Sequence, residues 1–460
     1  MGDFKYTMEP YRLTWIPLLN IHDNSAKLKV REVLRGLNSG IGPYWIDALE
    51  VSIRGLNLML FLGNNSLDSE IRKEVGQVLK HSVSLVTGNL SLYSSGANHL
   101  VGEAAFLFCA DLLFDRADVD DAFSRFTTAA SNQFMESGFP KEHSICYFKD
   151  VLAFILCVRS FSAFFNKESF IEELNRLYKH AFQFYQFWYE NAAEFSLGDN
   201  DGSFMFGTDQ NDESLGIYNV ITGKGHPNEK SIYCHFPRFE LSVNAFNCTN
   251  IRLFKSYKFK LLIDLEEFGF ERMNAHSHEN FGSVQLSMNN IPVFVDSGTY
   301  TYSSKEMNKR VYFRSAQSKN VTSYTNKPFG KPVSDMIWKE PFSKKWFLSG
   351  KSSVITVSKL RRGLFLRRFI FIDERVIIIR DDVVGRRRKS EKFISTFMLS
   401  PEVNFKNGVL DVLGDQSTIH SSVPIKVKKG LYSPSFGKLQ KTSILSLEVE
   451  NTSILEIRLN

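Results

Sequence analysis

The chain has 460 residues, 43% hydrophobic and 23% charged, which is enough for two domains, each with its own core. No apolar stretch reaches the length of a membrane span, and five cysteines without metal-like spacing argue against a disulfide scaffold. A formal charge of +6 is mild for this length, and the basic runs Arg361-Arg362, Arg367-Arg368 and Arg386-Arg387-Arg388-Lys389 read as a solvated face before an anion-tracking groove. No stacking-aromatic motif accompanies them, so nucleic acid is the weaker partner. The first residues carry no apolar signal region, so the chain reads as cytoplasmic, or as periplasmic or secreted if a leader has been removed.

Helical spacing of apolar residues predicts seven helices, over roughly 25–38, 45–62, 67–87, 98–114, 120–136, 142–165 and 168–190. Stops such as Gly40 to Pro43 and Ser94-Ser95-Gly96 separate them. Short loops imply antiparallel hairpins, and without a fixed-period repeat the arrangement expected is an irregular α/α toroid. From Ser196 the composition turns to Gly, Asp, Asn and Ser, including Gly198-Asp199-Asn200-Asp201-Gly202, as in an interdomain connection. Beyond it the period becomes two, with strands expected at Ser283 to Met288, Ile291 to Val295, Val354 to Val357, Leu364 to Phe371, Val376 to Arg380, Phe393 to Leu399 and Ile454 to Leu459. The expected class is α+β multidomain: a toroid over 1–195, a connection over 196–234 and an antiparallel β-sandwich over 235–460.

Three segments hold titratable residues where periodicity would accept apolar ones. Asn98 and His99 open the fourth helix, where unpaired N–H groups and the helix dipole favour an anion; Asn98 taken alone also reads as a cap. Tyr147 follows Glu142 in the sixth helix, whose start shares a rim with that of the fourth in an up-and-down array; alone, it reads as a core-edge residue. His276 and His278 precede a strand, two residues apart on one face if the strand extends to them, and a hairpin would bring Asp296 near. Two imidazoles and a carboxylate suit zinc at moderate specificity.

In their order and spacing these segments resemble the heparinase II/III-like polysaccharide lyases over roughly residues 45–325. The Gly198 to Gly202 loop, the Asp296 to Tyr302 strand end and Tyr312-Phe313-Arg314-Ser315 followed by Asn320 add to the resemblance. It implies an α/α toroid with a β-sandwich, and β-elimination on an acidic, uronic-acid-containing polysaccharide, such as a bacterial exopolysaccharide or capsule. Asn98 and His99 would neutralise the uronate carboxylate, Tyr147 would protonate the leaving oxygen, and His276 or a tyrosine would take the proton from carbon 5. Glu103, Tyr300, Tyr302, Tyr312 and Arg314 would face substrate, with Arg314 favouring ionisation of a phenolic base.

The sequence also departs from the family. The family's zinc-type site would take His278, Asp296 and a later histidine, but Lys319 holds that last position. A protonated lysine offers no lone pair, so the expectation is no metal and no cofactor, with Lys319 pairing Asp296 and hydrogen bonding His278; His226 or His235 is the substitute ligand otherwise. Asn280 stands for an acidic residue and Phe148 for a histidine, and the toroid is short at its N-terminus, hence incomplete. A uronosyl carbon-5 epimerase and a non-catalytic glycan-binding protein remain as alternatives.

Overall fold

The first half of the chain folds into α1 (Asn24–Asn38), α2 (Ala48–Asn64), α3 (Ser69–Gly88), α4 (Asn98–Leu113), α5 (Val119–Ser131), α6 (Ile145–Phe164), α7 (Glu168–Leu177), α8 (Lys179–Asn191) and α9 (Gln210–Thr222), most of them amphipathic. The computed structural model describes residues 8–19, 23–40, 42–64, 67–92, 96–207, 209–223, 231–238, 250–266, 274, 276–334, 337–339 and 344–459. Carboxylates of Asp23, Asp68 and Asp209 accept from first-turn N–H groups of α1, α3 and α9, caps worth about 1 kcal/mol each. The helix expected over 168–190 is two helices, parted at Tyr178, a buried residue whose hydroxyl donates to the Thr127 carbonyl at 3.1 Å. The connection expected over 196–234 contains α9, which ends on Gly223 in the left-handed region.

The chain divides into two compact units. One is helical and comprises Met1–Lys141, Cys146–Tyr189 and Gly202–Phe246; the other is β-rich and comprises Glu142–Ile145, Glu190–Asp201 and Asn247–Asn460. Within the helical unit, α4 and α6 are apolar on nearly every side and buried accordingly. A Cβ at Gly102 would run into Leu49 and, at 2.8 Å, the Phe154 ring, so α4 passes in close contact between α2 and α6. Cys109 and Cys157 are buried free thiols, as their apolar helices imply. Among the described residues no helix is long and apolar enough to cross a membrane.

The β-rich unit opens with β1 (Ile251–Lys255), β2 (Phe259–Asp264), β3 (Val284–Met288) and β4 (Ile291–Phe294), a four-stranded sheet in chain order. The short helix α10 (Met307–Arg314) follows, then β5 (Thr322–Tyr324), β6 (Lys331–Pro332), β7 (Trp338–Lys339), β8 (Lys344–Ser349), β9 (Ser353–Arg361), β10 (Leu364–Ile372), β11 (Val376–Gly385) and β12 (Phe393–Met398). The chain ends with β13 (Asn404–Lys406), β14 (Val409–Val412), β15 (Asp415–Ser421), β16 (Lys426–Tyr432), β17 (Gln440–Glu448) and β18 (Thr452–Leu459). An eight-stranded sheet runs β13-β14-β15-β18-β11-β10-β9-β8, a second four-stranded sheet runs β16-β17-β12-β5, and β6 pairs with β7; the pairings are antiparallel. Alternating apolar residues from the larger sheets, among them Leu286, Ile370, Ile457 and Leu445, share one core cluster.

Candidate functional site

The β-rich unit gathers its titratable groups around Asp199. Gly198, immediately before it, has φ +61, and a Cβ there would collide with the His143 carbonyl oxygen, so the sharp loop depends on glycine. The backbone is stitched on both sides: Asp199 N–H donates to the His276 carbonyl at 2.9 Å, and the Ser144 hydroxyl to the Asp199 carbonyl at 2.6 Å. The fully buried Asp199 carboxylate then takes four side-chain contacts. Arg310, from α10, donates to both oxygens at 2.6 Å; His276 Nδ1 lies 3.1 Å from Oδ2 and His278 Nε2 lies 2.9 Å from Oδ1. Burial alone would raise this carboxyl, but the Arg310 guanidinium outweighs it, with help from both imidazoles, and holds it well below the usual range.

His276 and His278 therefore meet through a shared carboxylate in irregular backbone, where a common strand face was expected. His276 is 7% exposed, and its Nε2 lies 3.7 Å from a Glu142 carboxylate oxygen, beyond hydrogen-bond distance. The Tyr302 ring is 6.3 Å from the His276 ring and has the Arg310 guanidinium 4.8 Å from its centroid. Asp199, Arg310 and Glu142 are the members of this group that sequence reasoning missed. Arg310 had a signal, since it precedes Arg314 by one helical turn.

The second cluster is Asp296 with Lys319. The Lys319 ammonium donates to Asp296 at 2.7 Å and to the Ser297 hydroxyl at 2.9 Å, and not to His278 as expected. His278 Nδ1 is instead 4.0 Å from Asp296 and has no hydrogen-bond partner among the described residues. Burial, then the nearby Lys319 charge, push the His278 imidazole down to about 4, so the ring is neutral at neutral pH. The set does not fit a zinc ion, because the third donor position is an ammonium already paired with the carboxylate. Among the described residues no group of three or more His, Cys, Asp or Glu side chains is placed to hold a metal. His235 is exposed in the helical unit, and His226 lies outside the described residues. Asn280 donates toward Asp296 at 3.4 Å, while His276 takes its orientation from Asp199, so the missing acid at position 280 does not leave His276 unanchored.

Of the residues expected at substrate, Glu103 and Arg314 are interior ties and Tyr312 is half-buried. Glu103 is fully buried, with both carboxylate oxygens accepting from Ser91 at 2.7 and 2.8 Å. Arg314 is also fully buried; it donates to the backbone carbonyls of Asn274 and Ser277 and stacks 4.8 Å from the Trp338 ring. Burial, with Arg310 beside it, lowers Arg314 to about 9, and its charge is within electrostatic reach of Tyr302. The Tyr312 hydroxyl bonds the Leu431 backbone at 3.1 Å. Tyr300, at φ +65, lies under the Lys309 ammonium, 4.9 Å from the ring centroid.

In the helical unit, Asn98 is the first residue of α4 and is buried, with Ala97 at the cap position and no capping side chain. His99 and Tyr147, in the first turns of α4 and α6, are half-exposed. Phe148 is a core residue, packed edge-on against Phe134 at 5.7 Å and against Phe184 at 5.4 Å.

Residues 241–459 match the family described as Heparinase II/III-like, C-terminal. That match falls almost wholly in the β-rich unit. Beyond the matched residues the likeness is one of fold. A crystal structure of heparinase III is 14% identical with a TM-score of 0.72, covering 100% of this chain and 78% of that one. The heparan sulfate lyase HepC from Pedobacter heparinus is 14% identical with a TM-score of 0.62, over the same shares. A chondroitin AC lyase from Streptomyces coelicolor A3 is 9% identical with a TM-score of 0.54, over 98% and 74%. At these identities the likeness is one of fold. No curated protein matches the chain by sequence.

Proposed function

We propose that this chain is a polysaccharide lyase that cleaves a uronic-acid-containing acidic polysaccharide, such as an exopolysaccharide or capsule, by β-elimination. In this reading the helical unit is an incomplete α/α toroid and the β-rich unit an antiparallel β-sandwich. The observation that carries it is His276 of a heparinase II/III-like domain, held by Nδ1 on the Asp199–Arg310 pair. With the proton on Nδ1 donated to Asp199, the Nε2 lone pair is left to accept a proton, and the resulting imidazolium has a carboxylate beside it.

Nε2 takes the carbon 5 proton; the electrons of that C–H bond form the C4–C5 double bond, and the C4–O bond breaks. Tyr147 then protonates the leaving glycosidic oxygen. Asn98 and His99 neutralise the uronate carboxylate, without which that carbon acid is far too weak. Tyr302, with Arg310 over its ring, is the alternative base. No step passes through a metal, since Lys319 provides the charge facing Asp296.

The test is a screen of heparan sulfate, hyaluronan, alginate and uronate-bearing exopolysaccharides for ultraviolet absorbance from the new conjugated double bond. Wild type should produce it, and Tyr147→Phe and His276→Ala should lose it. Deuterium uptake at carbon 5 without chain cleavage would make the chain an epimerase. Full activity in Tyr147→Phe would refute its acid role, and binding without either reaction would leave a glycan-binding protein.

A further inference from the structure

The arginines along the strands of the eight-stranded sheet have acids of their own. Arg367 pairs with Asp382 at 2.6 Å, Arg368 with Asp381 at 2.7 Å and Arg380 with Asp382 at 2.9 Å. At the tip of the β9–β10 hairpin Arg361 still has Glu391 at 2.6 Å, but among the described residues the cations around it go without. Arg361 and Arg362 lie at the turn, and Arg386, Arg388 and Lys389 follow the end of β11, beside it. Backbone ties fix the two stretches together: Arg386 N–H donates to the Gly363 carbonyl at 3.1 Å, and the Arg361 guanidinium to the Arg386 carbonyl at 3.0 Å.

A third stretch joins them through the Thr325 N–H, which donates to the Lys392 carbonyl at 3.0 Å. It brings Lys327, whose ammonium lies 4.4 Å from the centroid of Tyr324, a ring within electrostatic reach of Arg361 and Arg388. Glu391 is already engaged, accepting from Arg361 at 2.6 Å and from the Arg388 N–H at 2.7 Å. Among the described residues no carboxylate lies within ion-pair distance of Arg362, Arg386 or Lys389, and all three are exposed.

Grouped like charges repel and add nothing to the fold, but they raise the local concentration of a polyanion. The cations come from three separate stretches held in fixed register, which suits a ligand whose anions repeat along an extended chain. Single-stranded nucleic acid is disfavoured, because the nearby Tyr324 ring is covered by Phe393 at 4.9 Å and by Lys327, leaving no platform for a base.

We propose that this hairpin tip is a second binding surface for an acidic polysaccharide, made of residues outside the His276 and Asp199 group. The identity of the ligand rests on the lyase reading; the surface does not need the chemistry. It retains the polymer between cleavage events and acts on long chains alone.

The experiment measures binding by affinity electrophoresis in gels holding heparan sulfate, hyaluronan or alginate, with neutral dextran as control. Wild type, Tyr147→Phe, Arg362→Ser and the combined Arg362→Ser, Arg386→Ser, Lys389→Ser variant are compared, each checked by thermal melting. The combined variant should bind the best-retained polymer at least about tenfold more weakly and with a shallower salt dependence, since fewer counterions are released. Arg362→Ser should fall between, and Tyr147→Phe should bind as wild type. The KM for long chains should rise in the combined variant while cleavage of short oligosaccharides is unchanged. Equal retention of wild type and combined variant on all three polymers would overturn the proposal, as would duplex DNA displacing the polysaccharide just as readily. Retention through the tip with no cleavage of any polymer would support the surface and refute the lyase; cleavage indifferent to the tip would do the reverse.

Discussion

Replacing Asp199 by Asn keeps the shape of the side chain and removes its charge. Arg310, fully buried, then loses the carboxylate that both its terminal nitrogens contact at 2.6 Å. A buried charge left without its partner costs roughly 3–5 kcal/mol. For a unit of this size class each kcal/mol moves the melting temperature by about 2–4 °C, so the β-rich unit should melt on the order of 10 °C lower. His276 also loses the carboxylate that fixes its tautomer, since an amide accepts at only one of the two positions, and kcat should fall about a thousandfold or more with a much smaller change in KM. Adding Arg310→Met separates the two effects: removing the orphaned cation should recover most of the stability and none of the activity. Because Asp199 is held well below the usual carboxylate range, the stability gap should be constant from neutral pH down to about 4, the unfolded value, and close only in stronger acid. Calorimetry and single-substrate kinetics read both quantities. A folded Asp199→Asn enzyme with kcat within threefold of wild type would refute the assignment.

Three further outcomes follow from the same geometry. His143, at φ +55 and fully buried, lies 3.0 Å from Asp264; burial opposes its protonation, but Asp264 and then Glu266 outweigh burial and raise its pKa. Its contribution is therefore complete below about pH 6.5 and lost as pH rises through the folded value. His143→Asn, which tolerates that backbone, should be about 3–5 kcal/mol less stable than wild type at pH 6, with a narrower gap at pH 9; urea midpoints showing a constant or wider gap would refute the ion pair. Lys319→Met strands the buried Asp296 carboxylate and should cost a similar amount, while Lys319→His supplies the third ligand beside His278 and Asp296 and should take up zinc; one stoichiometric zinc in the wild type by elemental analysis would sink the lysine strut. Gly198→Ala forces a side chain onto the His143 carbonyl at a positive φ, so activity should drop along with about 1–3 kcal/mol of stability; Gly202→Ala, at φ +74 but with nothing within 4 Å, should cost about 1 kcal/mol of backbone strain without the clash.

Most helices were legible because their apolar spacing spans several turns, and the strands β9 to β11 because buried and less buried positions alternate along much of their length, whereas β12 showed as a short run buried throughout. The rest was hidden for physical reasons. α9 begins Gln-Asn-Asp-Glu after a glycine-rich stretch and reads as loop, although its Asp209 cap was a usable signal. β8 and β16 are edge strands carrying Lys344-Lys345 and Lys426, Lys428 and Lys429, and such lysines, which guard an open edge, erase the apolar alternation. At the site, Asp199 was passed over because a Gly-Asp-Asn loop has the composition of a linker, and a tight positive-φ turn needs the same residues. The Lys319 to Asp296 contact was readable from residue type, since a lysine in an apolar setting needs a carboxylate. Glu103 and Arg314 were misplaced because polarity in the sequence does not distinguish a substrate contact from a buried backbone tie.

The membership of the two units bears on how such a chain can be inherited. The family match begins at residue 241, and a recombination event joining genes near that point would transfer β1 to β18. It would leave behind Glu142 to Ile145 and Glu190 to Asp201, and with them the carboxylate that Arg310, His276 and His278 all share. A new partner gene therefore has to bring its own aspartate in a loop of the same shape, and the two halves are bound to change together.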